Sequence, residues 1–201
     1  NEELKKKIEL LEKDRFDTLY LQTENNQLQE VLELDKTTSY STVGAKIMLD
    51  KNSPYLNSVV INKGSNVGIK LGMPVLNKGN LVGRIVEVNY ISSRILLLND
   101  LNSKIPAVIS PSGEQAILSG IGKKNPTLEY LPDGFQNEDD LTVYTSGKDG
   151  VLFPGISIGK IIRNEDDESD EGRIRVKLFS DPTQVLYVNV VLDKSNDEEA
   201  K

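Results

Sequence analysis

The segment Ser146-Gly147-Lys148-Asp149-Gly150-Val151-Leu152-Phe153-Pro154-Gly155-Ile156-Ser157-Ile158-Gly159-Lys160 decides the fold. Four glycines and a proline break it into turns, and its apolar residues come in short runs between them. That pattern specifies tight turns feeding a β-strand. A partner segment lies upstream. Gly64 and Gly72 are eight apart, as are Gly147 and Gly155. Each pair leads to a Gly-basic-Ile step, Gly83-Arg84-Ile85 in one case and Gly159-Lys160-Ile161 in the other. The first copy carries seven extra residues between these points. Farther on, Arg94-Ile95-Leu96-Leu97-Leu98-Asn99-Asp100 parallels Arg175-Val176-Lys177-Leu178-Phe179-Ser180-Asp181. Two segments agreeing in the same order point to an internal duplication of one β unit.

Outward from these blocks, candidate strands fall near 43–49, 57–63, 74–77, 81–88, 94–99 and 105–109. A second set falls near 115–119, 126–130, 142–145, 157–163, 173–179 and 185–191. Lys78-Gly79-Asn80 and Pro132-Asp133-Gly134 supply turn signals between them. Short strands at this spacing imply a barrel or sandwich. The expected organisation is two small six-stranded β-barrel units, 43–113 and 114–192, with the chain free to cross between them.

Residues 1–43 contain neither glycine nor proline, while residues 44–201 hold all 15 Gly and all 8 Pro. The first 36 residues therefore read as an uninterrupted helix. Leu4, Ile8 and Leu11 step by four and three, and so do Leu21, Asn25, Leu28 and Leu32, after a one-residue slip. This is coiled-coil spacing, and an Asn at an a position such as Asn25 favours a two-stranded state. These seven residues are the expected dimerisation seam. The fold class is thus mainly β, with an N-terminal coiled-coil helix. Residues 193–201 are polar and read as a disordered tail.

Composition narrows the chemistry. The chain has 201 residues with no His, Cys or Trp. A Ser-His-Asp triad, a thiol nucleophile, a disulfide and a His/Cys zinc site are all excluded. The net charge of −7 argues against nucleic acid as a partner. That charge is uneven. Residues 1–36 hold six basic and ten acidic groups, residues 164–201 five and eleven, and residues 37–163 thirteen and ten. The central β region is therefore mildly basic.

Gly64-Ser65-Asn66-Val67-Gly68 and the Gly147–Gly150 turn lack the helix N-terminus that a phosphate loop requires. Tight turns explain them better. Ser146 and Lys148 are close enough to suggest a dyad, but no orienting group accompanies them. Glu165-Asp166-Asp167-Glu168-Ser169-Asp170-Glu171 has six acids in seven residues without EF-hand spacing. It reads as a solvated hairpin tip. No cofactor or metal site is expected. No apolar run reaches the roughly 20 residues that span a bilayer. The chain starts at Asn1 and reads as part of a longer one, with a membrane anchor expected upstream.

The order of these pieces resembles the extracytoplasmic part of the MreC family. The resemblance rests on Asn25-Asn26-Gln27-Leu28, Val60-Ile61-Asn62-Lys63-Gly64-Ser65-Asn66-Val67-Gly68, Gly72-Met73-Pro74-Val75, Leu81-Val82-Gly83-Arg84-Ile85 and Asn99-Asp100. The opening segment Ser146–Lys160 is its most specific part. Asp149 departs from the family, which often has glycine there, and the acidic insertion is not a feature of the family core. The resemblance implies a non-enzymatic scaffold on the extracytoplasmic face of the bacterial cell membrane. It would help maintain cell shape within the peptidoglycan-elongation machinery. The implied partners are a second copy, MreD, a class B penicillin-binding transpeptidase and, through the membrane complex, actin-like MreB. A periplasmic adaptor of a transport or efflux assembly is the alternative, though such adaptors carry a helical hairpin rather than one helix. A β-barrel hydrolase is the catalytic alternative, and it needs convergent ionisable groups in a pocket.

On the residues themselves, Gly64, Gly72, Gly83, Gly147, Gly155 and Gly159 are expected to shape turns and close strand approaches. Phe153 and Pro154 are expected to form exposed apolar surface at a turn and to contact a partner or a second copy.

Overall fold

The computed structural model describes residues 41–48, 57–132, 134–135, 141–162, 173–181 and 185–192, together with Leu21. Of the expected seam, Leu4, Ile8, Leu11, Asn25, Leu28 and Leu32 lie outside the described residues. Leu21 has helical backbone and is exposed, but a single residue defines no helix. The acidic segment 165–171 and the tail 193–201 also lie outside.

Among the described residues there are twelve strands, one at each expected place. They are β1 (Ser41–Met48), β2 (Ser58–Ile61), β3 (Pro74–Asn77), β4 (Asn80–Val88), β5 (Ser93–Leu97) and β6 (Lys104–Ser110), followed by β7 (Gln115–Ser119), β8 (Thr127–Glu129), β9 (Thr142–Thr145), β10 (Ser157–Ile162), β11 (Ile174–Leu178) and β12 (Tyr187–Leu192). Strands β4, β3, β12, β1, β2 and β5 pair in that order, and β4 pairs back to β5. This ring is a closed six-stranded barrel. The other six pair in the order β11, β8, β7, β6, β9, β10, with β10 returning to β11. Closure leaves each strand a neighbour on both sides. Strand β6 lies within the 43–113 stretch yet pairs with β7 and β9, and β12 lies within the 114–192 stretch yet pairs with β1 and β3.

Each ring encloses its own core. The first holds Ala45, Ile61, Val75, Val82, Ile85, Ile95, Val188 and Val190. The second holds Ile105, Ala107, Ile109, Leu118, Val143, Ile158, Ile161 and Val176, but also Leu76, Leu81 and Val191. Successive residues of a strand point to opposite faces. Val75, Val82 and Val190 therefore point into the first ring, while their neighbours Leu76, Leu81 and Val191 pack against the core of the second. Strands β3, β4 and β12 are apolar on both faces for this reason. Contrast β6, whose residues alternate between buried and more accessible from Lys104 to Ser110.

Polar contacts fix the junction. Strands β4 and β10 pair in parallel at Asn80 and Ser157, and the Ser157 hydroxyl donates to Asn80 Oδ1 at 2.7 Å. Ser180 Oγ donates to Asn77 Oδ1 at 3.0 Å, and Asn77 Nδ2 donates to the Tyr187 carbonyl at 3.1 Å. The hairpin tip Asn77–Asn80 lies within the Gly72–Gly83 stretch that holds the seven-residue excess of the first copy, and it meets the other ring through these contacts.

The duplication is visible in the backbone. A Cβ on Gly83 would lie 2.2 Å from the Leu96 carbonyl oxygen, and one on Gly159 would lie 2.3 Å from that of Lys177. Leu96 and Lys177 occupy equivalent places in the two repeated strands. Gly72 and Gly155 have φ of 84° and 85°. The parallel ends at Gly64 and Gly147. Gly64 is extended at φ −142° and abuts the Asn89 carbonyl, whereas Gly147 is left-handed at φ 72°. Ser65–Val67 forms a three-residue 3-10 turn that ends at left-handed Gly68, φ 86°.

Candidate functional site

The turn block Ser146–Gly155 folds into a loop held from beneath by Thr145, which is fully buried. Its hydroxyl donates to the Phe153 carbonyl at 2.6 Å and accepts the Ile156 N–H at 2.9 Å. The Thr145 carbonyl accepts the Gly155 N–H at 2.9 Å. Asp149 Oδ1 accepts the N–H groups of Val151 and Leu152 at 3.1 and 3.0 Å. This is a side chain standing in for backbone at a turn, and it explains why Asp is accommodated there. Ser146 Oγ accepts the Lys148 backbone N–H at 3.4 Å, so their proximity is that of a local turn.

These bonds set the direction of the apolar residues. Leu152 points into the second core and is 3% exposed. Val151 points outward, 46% exposed, and lies over Gly72, where a Cβ would meet its Cγ1 at 2.5 Å. Leu71 beside it is 66% exposed. Together with Lys70, Met73, Pro74, Phe153, Pro154 and Val191 they line a groove of about 440 Å³. One wall comes from the loop before β3 and the other from the loop before β10, so the groove straddles the two rings.

Pro154 is exposed, as expected for this turn. Phe153 is partly buried and packs against the second core. The expectation of an exposed Phe153 is corrected to that extent, because its carbonyl is tied down to Thr145 and its ring turns inward with Leu152. The exposed apolar groups are instead Leu71 and Val151, which sequence reading did not single out. The eight-residue spacing marked both loops, but nothing in it says which Leu or Val faces water. Of the six glycines, Gly72 and Gly147 line or floor the groove, Gly155 closes its loop, and Gly64, Gly83 and Gly159 lie at backbone contacts elsewhere.

Rings of short strands closed around apolar cores place the chain in the β-barrel class. Known proteins sharpen this class. The family model described as rod shape-determining protein MreC, barrel core, matches residues 47–192. Cell shape-determining protein MreC of Caulobacter vibrioides is 36% identical over 96% of this chain, and the chain spans 55% of that relative's length. A solved structure called MreC superposes with a TM-score of 0.74 at 24% identity, covering 86% of this chain and 99% of that one. A complex between penicillin-binding protein PBP2 and MreC from Helicobacter pylori contains a chain with a TM-score of 0.54 at 13% identity, covering 76% of this chain and all of that one. The chain belongs to the MreC family.

Proposed function

We propose that this chain is the extracytoplasmic barrel part of a non-enzymatic scaffold that maintains cell shape by holding the peptidoglycan-elongation machinery together. The observation that carries this reading is the groove at Leu71 and Val151. Two large apolar side chains stand exposed side by side on loops that the fold otherwise anchors tightly, and such patches mark protein contacts. The groove's occupant in this reading is a class B penicillin-binding transpeptidase. The Helicobacter complex, in which a protein of the same fold meets a penicillin-binding protein, supports that choice. MreD and, through the membrane complex, actin-like MreB complete the proposed set of partners, with an anchor upstream of Asn1.

The two rings are the proposed barrel units, with strand exchange. One is built from β1–β5 and β12, the other from β6–β11. Residues 1–36 are proposed as the dimerising coiled coil, through Leu4, Ile8, Leu11, Leu21, Asn25, Leu28 and Leu32. Sedimentation of the full chain against one starting near Ser41 tests this part. Only the longer chain is expected to dimerise at tens of micromolar (a Kd range of about −6 to −7 kcal/mol), and two monomers would refute it. The scaffold reading is tested by replacing the native gene with one carrying L71S and V151S. Cells are expected to lose their normal shape at unchanged protein level. Normal shape would count against the groove.

A further inference from the structure

A second cleft, of about 560 Å³, lies beside the end of β11. Asn99, Lys123, Lys124, Lys177, Phe179 and Asp181 form its walls. Among the described residues three lysines and one acid line it, with Lys124 Nζ 3.1 Å from Asp181 Oδ2. Phe179 is 44% exposed among these charges. Asn99 is nine-tenths buried, and its Oδ1 has no hydrogen-bond partner among the described residues.

The backbone adds a feature that charge alone does not. Strand β8 pairs with β11 only at Ile174 and Arg175, and the Val176 N–H then donates to the Pro126 carbonyl. Beyond that point β8 has ended. The Phe179 N–H donates to the Ile158 carbonyl on β10. Backbone groups alternate sides along an antiparallel strand, so the N–H and C=O of Leu178 face the opposite way, into the cleft that Leu178 also lines. The end of β11 is a short sheet edge inside an otherwise closed ring.

We infer that this edge binds an extended acidic peptide segment of a partner protein, which adds as a strand beside β11. The backbone of any peptide can pair with Leu178, and strand addition of this kind is a general recognition mode. Selectivity comes from side chains. Lys177 and Phe179 are two apart and share the outer face of β11. Alternate residues of an added strand lie next to them. Carboxylates at those positions meet Lys177 and Lys124, and their methylene stems lie against Phe179. A glycan or a lipid surface offers the charge without the regularly spaced amide that the edge requires. This cleft is separate from the Leu71 groove, so its failure leaves the scaffold reading intact.

The test is an NMR titration of the 15N-labelled full chain with a blocked pentapeptide alternating Glu and Val. The same peptide N-methylated on alternate amides, in both phases, and its Lys-for-Glu counterpart serve as probes, alongside phosphatidylglycerol vesicles. The Leu178 and Lys177 amides are expected to shift. Methylation in at least one phase is expected to abolish binding, and Lys177→Glu to weaken it about tenfold. The Lys peptide is expected not to bind. Phe179→Ala, which leaves every lysine in place, is expected to weaken binding severalfold with the spectrum otherwise unchanged. Equal binding of both methylated peptides would show attraction by charge alone and overturn strand addition. Binding of vesicles through the same lysines, with no response to the peptide, would overturn the peptide assignment.

Discussion

At the residue scale, Gly83 and Gly159 bear a constraint that the left-handed turn glycines Gly68, Gly113, Gly150 and Gly155 lack. Gly83 and Gly159 are not in left-handed backbone. They are glycine because a carbonyl oxygen occupies the place of a Cβ, at 2.2 and 2.3 Å. Gly83→Ala or Gly159→Ala is expected to lower unfolding stability by about 3 kcal/mol, since backbone must move to make room. Gly113→Ala is the control. Its φ is 76° but nothing lies within 4 Å, so a cost nearer 1 kcal/mol is expected. Urea denaturation of the three variants checks the order. On the surface, Arg94 Nε donates to Glu87 Oε2 at 3.1 Å, and Asn89 Nδ2 to Oε1 at 3.4 Å. The Arg94 hydrogen bond first, then that of Asn89, then the Arg94 charge hold the Glu87 carboxyl below its ordinary value. A depressed folded pKa contributes stability above the unfolded value of about 4.3. That contribution is lost as pH falls through the lower folded value. Arg94→Gln is expected to move the Glu87 titration upward, as read from its carboxyl carbon, and an unmoved titration would show that Arg94 is not its partner in solution.

At the element scale, the turn block is the unit that presents the groove, and Thr145 is its fastening. Thr145→Val keeps the shape and removes one donor and one acceptor in a fully buried place. The expected cost is about 1–3 kcal/mol, with Val151 and Phe153 signals broadened as the loop loosens. Phe153→Ser is expected both to destabilise and to weaken association, because the ring is half core and half surface. The strands themselves were legible in the sequence. Glycine and proline punctuate them, and their apolar runs are short. The duplication was legible too, from paired spacings that recur as paired backbone contacts at Leu96 and Lys177. The split of the apolar residues in β3, β4 and β12 between two cores was not. Runs such as Val188-Asn189-Val190-Val191 look the same whether one face or both are covered. The identity of the groove's exposed residues was hidden for a related reason. Leu71 and Leu152 are both leucines in Gly-rich loops, and only the Asp149 and Thr145 hydrogen bonds decide which turns inward.

At the scale of the whole molecule, the junction is apolar and continuous with the second core. Leu76, Leu81 and Val191 belong to strands of one ring and pack into the core of the other. The rings are therefore expected to unfold together. Leu76→Ala should cost about 2–5 kcal/mol and move a single calorimetric transition, whereas two separated transitions would mean the rings are independent. The proposed occupant of the groove is the transpeptidase. The direct measurement is biolayer interferometry of the purified extracytoplasmic part of that enzyme, from the same bacterium, against the chain and its L71S/V151S variant. Both substitutions are at exposed sites, so thermal stability should change by no more than about 0.5–1 kcal/mol. Saturable binding to the native chain and at least a tenfold loss in the variant are expected. Equal affinity for the two, with folding intact, would contradict this assignment.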